Sequence, residues 1–311
     1  MADNYVTVEG LTKTYGEKTL FRDLSFGINK GQKTALVAAN GSGKSTLLKI
    51  LAGKETCDKG SLSFRKGIRV SYLEQHPLQG VNASIMDVLF DSDTPLMQTV
   101  KRYEQALYAV RTNDSPLTQR QLTDAINEMD SLNAWNYESE IKEMLGRLNI
   151  TDLQQNVSTL SGGERKKVAL CTVLISQSEV LLLDEPTAGL DPEERIRFSK
   201  IVADADGACT TVISTHIISD VKDCCDEVII LLDGEIVFIG SVEQLAAQAA
   251  HKVFAVLPDE KNSLQGRWCE NEYVYIDGRK MLRIVTNEAP KNAVELEPEA
   301  EDGYLCCLKS I

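Results

Sequence analysis

What this sequence does not contain narrows it first. No apolar run approaches the roughly 20 residues that a helix needs to cross a bilayer. Met1-Ala2-Asp3-Asn4 has neither the basic nor the apolar stretch of a secretory leader. Eight cysteines are present, yet none are spaced Cys-x-x-Cys. Two pairs, Cys224-Cys225 and Cys306-Cys307, are immediate neighbours, which rarely bridge to each other. The expectation is a reducing, cytoplasmic compartment and free, mostly buried thiols. There is no surplus of positive charge either. A formal net charge of −13 leaves nothing in the overall balance to steer the chain toward nucleic acid or anionic lipid. No direct nucleic-acid binding is expected, and any membrane role would come through a partner.

What is present is a chain of 311 residues with 43% hydrophobic content, enough for one large or two modest cored domains. Tyr5 to Val8 alternates like a strand. Thr34-Ala35-Leu36-Val37-Ala38 is an apolar run that ends in Asn40-Gly41-Ser42-Gly43-Lys44-Ser45-Thr46, and Ser45 to Leu51 has helical spacing. Strand, glycine loop and helix in that order form the context of a phosphate-binding loop. Lys44 would reach the β- and γ-phosphates of a nucleotide. Ser45 would place its hydroxyl on magnesium, and the loop N–H groups and helix N-terminus would face phosphate. These residues predict ATP as the ligand, with Mg2+, and ATP hydrolysis as the activity. A further glycine is usual at Ala38, so strain at a positive φ is expected there, costing on the order of 1 kcal/mol.

Val180-Leu181-Leu182-Leu183 fits a strand buried on both faces of a parallel sheet. It ends in Asp184, suited to hold magnesium through water, and Glu185, suited to polarise an attacking water as general base. Thr211 to Ser214 reads as another strand. Val228 to Leu232 and Glu235 to Ile239 flank Asp233-Gly234, the signature of a hairpin turn. Ser61 to Phe64 and Arg69 to Leu73 are shorter strand candidates. Between Asp91 and Ile150, Val100, Tyr103, Leu107 and Val110 recur at three and four, and Asn113 to Pro116 interrupts two amphipathic helices. This stretch holds six Lys or Arg and ten Asp or Glu, as a solvated helical hairpin would. After Gln248, Val253 to Leu257, Tyr273 to Ile276 and Met281 to Val285 look like strands, and Pro290 to Asp302 reads as an acidic loop. Leu160-Ser161-Gly162-Gly163-Glu164 precedes a helix-like stretch and offers N–H groups at a helix start, or simply a loop and N-cap.

With that last segment the chain resembles the ATP-binding cassette (ABC) family over roughly residues 4 to 245. The resemblance likens Ala38 to Thr46 to the Walker A loop, Tyr15 to the aromatic that stacks on adenine, and Gln75 to the Q-loop glutamine that approaches the metal. It likens Leu160 to Glu164 to the signature motif, with Glu where many members have Gln. Val180 to Glu185 is similar to Walker B, Ala188 to Asp191 to the D-loop, and His216 to the switch histidine that contacts the γ-phosphate. Tyr15 also fits a packed strand-end tyrosine, Gln75 a plain loop amide and His216 a helix cap. His76 and His251 match no motif.

The implied fold class is α/β. It is a P-loop NTPase core with an antiparallel β subdomain and a helical subdomain over residues 1–247, with the helical insertion at about 91–150. A small C-terminal α+β appendix follows at 248–311. The implied site sandwiches ATP between the Walker A loop of one cassette and Ser161, Gly162 and Gly163 of a second. That predicts a partner cassette, a homodimer being the simplest. Residues up to about 170 resemble the ABC-F proteins that act on ribosomes; Gln75 and Ser161 lie 86 residues apart, more than a compact transporter cassette needs. Residues from about 180 resemble bacterial exporter ATPase subunits, peripheral on the inner face of the plasma membrane and joined to an integral-membrane permease. The expected function is that of a transporter ATPase subunit. A ribosome-associated translation factor and an uncoupled cassette are the alternatives.

Overall fold

A computed structural model describes residues 4–92, 94–204, 209–222, 224–309 and 311. The chain opens with β1 (Asn4–Tyr15), β2 (Lys18–Asn29) and β3 (Lys33–Ala38), then α1 (Lys44–Leu51), β4 (Lys59–Phe64) and β5 (Val70–Leu73). A helical stretch follows: α2 (Ile85–Leu89), α3 (Pro95–Thr112), α4 (Pro116–Ser131), α5 (Trp135–Arg147) and α6 (Gly162–Ile175). Strand and helix then alternate through β6 (Val180–Asp184), α7 (Pro192–Asp204), β7 (Thr210–Thr215), α8 (Ser219–Lys222), β8 (Glu227–Leu232), β9 (Glu235–Ser241) and α9 (Val242–Ala247). The last elements are β10 (Val253–Val256), β11 (Trp268–Ile276), β12 (Arg279–Thr286), β13 (Val294–Glu295) and α10 (Ala300–Lys309). The chain divides into two compact units, residues 1–72 with 179–188 and 192–311, and residues 73–178 with 189–191.

The first unit is built on a six-stranded sheet of order β5-β6-β7-β3-β8-β9. β6, β7, β3 and β8 run parallel, and β9 closes the edge antiparallel to β8 through the Asp233-Gly234 turn. Every residue of β6 and β7 is buried, because helices or strands cover both faces of a parallel sheet. On one face Leu47, Leu48 and Leu51 of α1 pack with Val6, Leu11 and Phe21 of the antiparallel sheet β2-β1-β4. On the other face Ala35, Val37 and Ile230 meet Val221 of α8, Leu245 of α9 and Ala300 of α10.

The last sixty residues form a four-stranded antiparallel sheet of order β11-β12-β10-β13. The segment from Pro290 to Asp302, expected to be a loop, contains β13 and the first turn of α10. Ala300, Gly303 and Cys306 are the buried positions of that helix, together with Asp302. Small residues at three-residue spacing bury a helix face without an apolar stripe to announce it.

The second unit is helical. α3 and α4 form the expected hairpin, broken at Asn113–Ser115. Ser115 caps α4 reciprocally with Thr118, and Pro116 sits at the first helical position, where its missing N–H costs nothing. Arg102 and Glu128 join the two helices at 2.7 Å, and the Tyr137 hydroxyl donates to the Ile175 carbonyl at 2.5 Å, tying α5 to α6. None of the eight cysteines is in a disulfide, but only Cys171, Cys224 and Cys306 are buried; the other five are half-buried. Burial pushes the Cys171 thiol to about 12, so it stays protonated and inert at neutral pH.

Candidate nucleotide-binding site

The loop from Ala39 to Gly43 leaves the C-terminal end of β3, at the centre of the parallel sheet, and feeds α1. Gly43, at φ +99°, is the N-cap of α1, and a Cβ there would press on Leu20 and Phe21 at 3.2 Å. The glycine therefore serves twice, for a left-handed turn and for a close approach. Gly41 is also left-handed, at φ +76°, while Asn40 and Gly41 lie exposed at the rim. Ser45 and Thr46 occupy the first turn of α1, half-buried, and Ser42 buries a hydroxyl oxygen with no hydrogen-bond partner. Ala38 differs from the expectation. It is the last residue of β3, pairs with Leu231, and is not among the residues of positive φ, so alanine is unstrained there.

Lys44 is 4% exposed. Its ammonium donates to the carbonyls of Ala38 (2.9 Å) and Ala39 (3.1 Å) and stands 3.4 Å from Glu185 Oε1. Asp184 ends β6, the strand two places from β3. Its carboxylate is held from both sides: Ser214 Oγ donates to Oδ1 at 2.6 Å, and the Tyr72 hydroxyl donates to Oδ2 at 3.2 Å. Glu185 has φ +44°, costly for a non-glycine residue. Its N–H compensates by donating to both Ser214 Oγ (2.9 Å) and the Ser214 carbonyl (3.2 Å). That strained turn aims the Glu185 carboxylate back at Lys44 and at His216, whose Nδ1 is 3.6 Å from Glu185 Oε1. Lys44, Asp184, Glu185 and His216 thus converge at one end of the sheet.

Tyr15 closes β1 and is 48% exposed. Its hydroxyl bonds to Glu55, which raises its pKa, and the Thr46 hydroxyl nearby opposes that rise. Lys13 Nζ lies 5.0 Å from the ring centroid. An exposed ring whose hydroxyl is held in place can present a face to a planar base.

Gln75, Ser161, Gly162 and Gly163 belong to the helical unit. Gln75 is half-buried in the loop after β5. Ser161 is the exposed N-cap of α6: Glu164 N donates to Ser161 Oγ at 3.2 Å, and Ser161 N donates to Glu164 Oε2 at 2.8 Å. That backbone donor holds the Glu164 carboxyl below its usual range. A glutamate at this position thus completes a capping box, as glutamine also would.

Sequence reading passed over Ser214, Tyr72, Thr187 and Asp220. Ser214 bridges Asp184 and the Glu185 N–H, and Thr187 Oγ1 donates to Asp220 Oδ2 at 2.6 Å. The one available signal was a serine inside a strand that is otherwise apolar or β-branched.

The ABC transporter family profile matches residues 21–188, more than half of the chain, and the chain belongs to that family. The uncharacterized ABC transporter ATP-binding protein YfmR of Bacillus subtilis is 37% identical over 186 residues, 60% of this chain and 30% of that protein. The energy-dependent translational throttle protein EttA of Mycobacterium tuberculosis is 28% identical over 70% of this chain and 38% of its own length. The chain therefore spans roughly a third of those relatives' length. The phosphonates import ATP-binding protein PhnC 2 of Pseudomonas savastanoi pv. phaseolicola is 30% identical over 82% of this chain and 90% of that protein. Among solved structures, cbiO1 of Clostridium perfringens, part of the ABC transporter complex cbiONQ, superposes with TM-score 0.54 at 25% identity. It covers 79% of this chain and 91% of cbiO1.

Proposed function

We propose that this chain is the ATP-hydrolysing subunit of a membrane transporter and works as a pair of cassettes. The observation that carries the transporter reading is the match to PhnC 2, an import ATP-binding protein, over 90% of that protein's length. The match to EttA covers 38% of EttA's length, and a translation-factor role is the second reading it favours. Among the described residues no helix is long and apolar enough to cross a membrane. The transporter reading takes an integral-membrane permease as the partner.

Within the cassette, the Asn40 to Thr46 loop and the α1 N-terminus bind the phosphates, and Tyr15 packs on the base. Arriving phosphate oxygens replace the Ala38 and Ala39 carbonyls as partners of Lys44. Glu185 then turns from Lys44 to a water and takes its proton as general base, while His216 contacts the γ-phosphate; the family resemblance gives Gln75 the role of the Q-loop glutamine. The Ser45 hydroxyl and Asp184 carboxylate are hard oxygen donors that suit Mg2+, and a carboxylate already accepting two hydrogen bonds keeps lone pairs for a water-bridged ion. Bound there, the ion would neutralise charge on the phosphates. Ser161, Gly162 and Gly163 complete the site of a partner cassette.

Glu185→Gln is expected to keep ATP affinity and lower turnover by roughly 10²- to 10⁴-fold. It should also accumulate an ATP-bound dimer in size-exclusion chromatography. Hydrolysis at the parent rate in that variant would refute the base assignment. Lys44→Ala should instead weaken nucleotide binding itself. The two functional readings separate on purification: a transporter subunit brings down an integral-membrane protein, whereas a translation factor sediments with ribosomes in a salt-sensitive manner.

A further inference from the structure

Three residues after His216 the chain forms α8, a single turn of four residues. One turn does not hold itself, since nucleation fixes several residues for one hydrogen bond. Its position is therefore set by what grips it. Ile218 and Val221 are buried against the sheet. Asp220 accepts the Thr187 hydroxyl at 2.6 Å, which links α8 to the segment just after Glu185. The third grip is Lys222, the last residue of α8. Its ammonium meets Glu299 Oε2 at 2.7 Å and Glu301 Oε2 at 2.6 Å, both at the head of α10.

Glu299 is itself anchored. The Glu299 N–H donates to Asp302 Oδ2 at 2.8 Å, and Glu299 Oε1 is 3.6 Å from Arg283 Nη1. Asp302 is fully buried and is gripped by Arg283 of β12 through Nε at 3.1 Å and Nη2 at 2.5 Å, with Asn271 of β11 donating a third bond at 2.8 Å. A fork-shaped, buried pair of this kind is geometrically specific. Lys222 thus ties a one-turn helix to a rigid point of the C-terminal sheet. It is the cation between two carboxylates and is itself 30% exposed, so both its charge and its reach matter.

We infer that Lys222 is a positioning residue, through which the C-terminal sheet and α10 brace α8 and so fix the segment that carries His216 beside Glu185. Lys222 touches neither the loop nor the carboxylates of the site. It acts through α8, on the Thr187–Asp220 bond at one end and on His216 at the other. The 248–311 region is then part of the catalytic apparatus of this chain. This inference rests on the reading of Glu185 and His216 as the hydrolytic pair.

The test uses the full-length chain, with steady-state ATPase kinetics and amide hydrogen exchange of the 216–222 segment measured side by side. Lys222→Met should lower kcat about five- to tenfold and raise exchange in 216–222 by a similar factor, the range expected for residues that couple distant sites. KM for ATP should stay within about twofold, because binding of the phosphates is untouched. Lys222→Arg should restore both readouts. The pair Glu299→Gln with Glu301→Gln should reproduce the methionine variant, and combining all three should cost nothing further. Unchanged kcat with unchanged exchange would overturn the inference, as would losses in Lys222→Arg equal to those in Lys222→Met. Should the parent chain hydrolyse no ATP, the proposed function fails, while the exchange arm still decides whether Lys222 holds the segment.

Discussion

Ala38 and Glu185 invert a simple expectation about strain. Alanine replaces the usual glycine at Ala38, yet it lies in extended backbone within the core, whereas Glu185, unremarked as a backbone position, takes φ +44°. Ala38→Gly should therefore leave ATP affinity within about twofold and lower stability by about 0.5–1 kcal/mol, because glycine only adds freedom to the unfolded strand. Nucleotide titration and urea unfolding check this; tighter ATP binding in the variant would mean that alanine does constrain the loop. Lys44, Asp184 and Glu185, which lie together in the structure, were legible as candidates because each is a distinctive residue type beside a strand or glycine loop; His216 was picked out only by the family resemblance. Ser214 and Tyr72 were not. They act through hydrogen bonds to Asp184 across the sheet, and nothing in the order of residues marks a serine or tyrosine as someone else's support.

At the scale of elements, the strands of the central sheet and the Asp233-Gly234 hairpin were readable from unbroken apolar runs and turn chemistry, and α3 and α4 from their three-and-four periodicity. α10 was not, and the reason is a contact rather than a composition. A Cβ added at Gly303 would lie 1.8 Å from the Leu245 carbonyl oxygen of α9, so the two helices cross with backbone against backbone. Such a face needs absence of side chain, which no hydrophobic pattern records. Gly-to-Ala in a helix ordinarily helps, by about 0.4–1 kcal/mol. Here Gly303→Ala should destabilise by about 1–3 kcal/mol, the usual range for forced overpacking. Thermal unfolding reads the sign directly; a raised Tm would mean that α10 can move away from Leu245 at little cost. The same substitution should loosen the anchor of Lys222, since Asp302 precedes Gly303 and holds the head of the helix.

For the whole molecule the decisive quantity is how turnover depends on concentration. The chain carries one phosphate loop and one Ser161-Gly162-Gly163 segment, so in the proposed arrangement neither nucleotide site is complete until two cassettes meet. ATPase activity per chain should then rise steeply with protein concentration and level off once the dimer is filled. Charge sharpens the expectation. Two copies of a chain with formal charge −13 repel at long range, and the repulsion extends over a Debye length of about 30 Å at 0.01 M salt but only about 8 Å at 0.15 M. Moderate salt should therefore lower the concentration needed for half-maximal turnover, the reverse of the salt effect on a ribosome complex held by phosphate contacts. Activity per chain that is flat from nanomolar to micromolar protein would show that one cassette hydrolyses alone and would remove the shared site from the mechanism. If the dimer forms, mixing Lys44→Ala with Ser161→Ala chains should recover one working site per heterodimer, because each supplies the half that the other lacks.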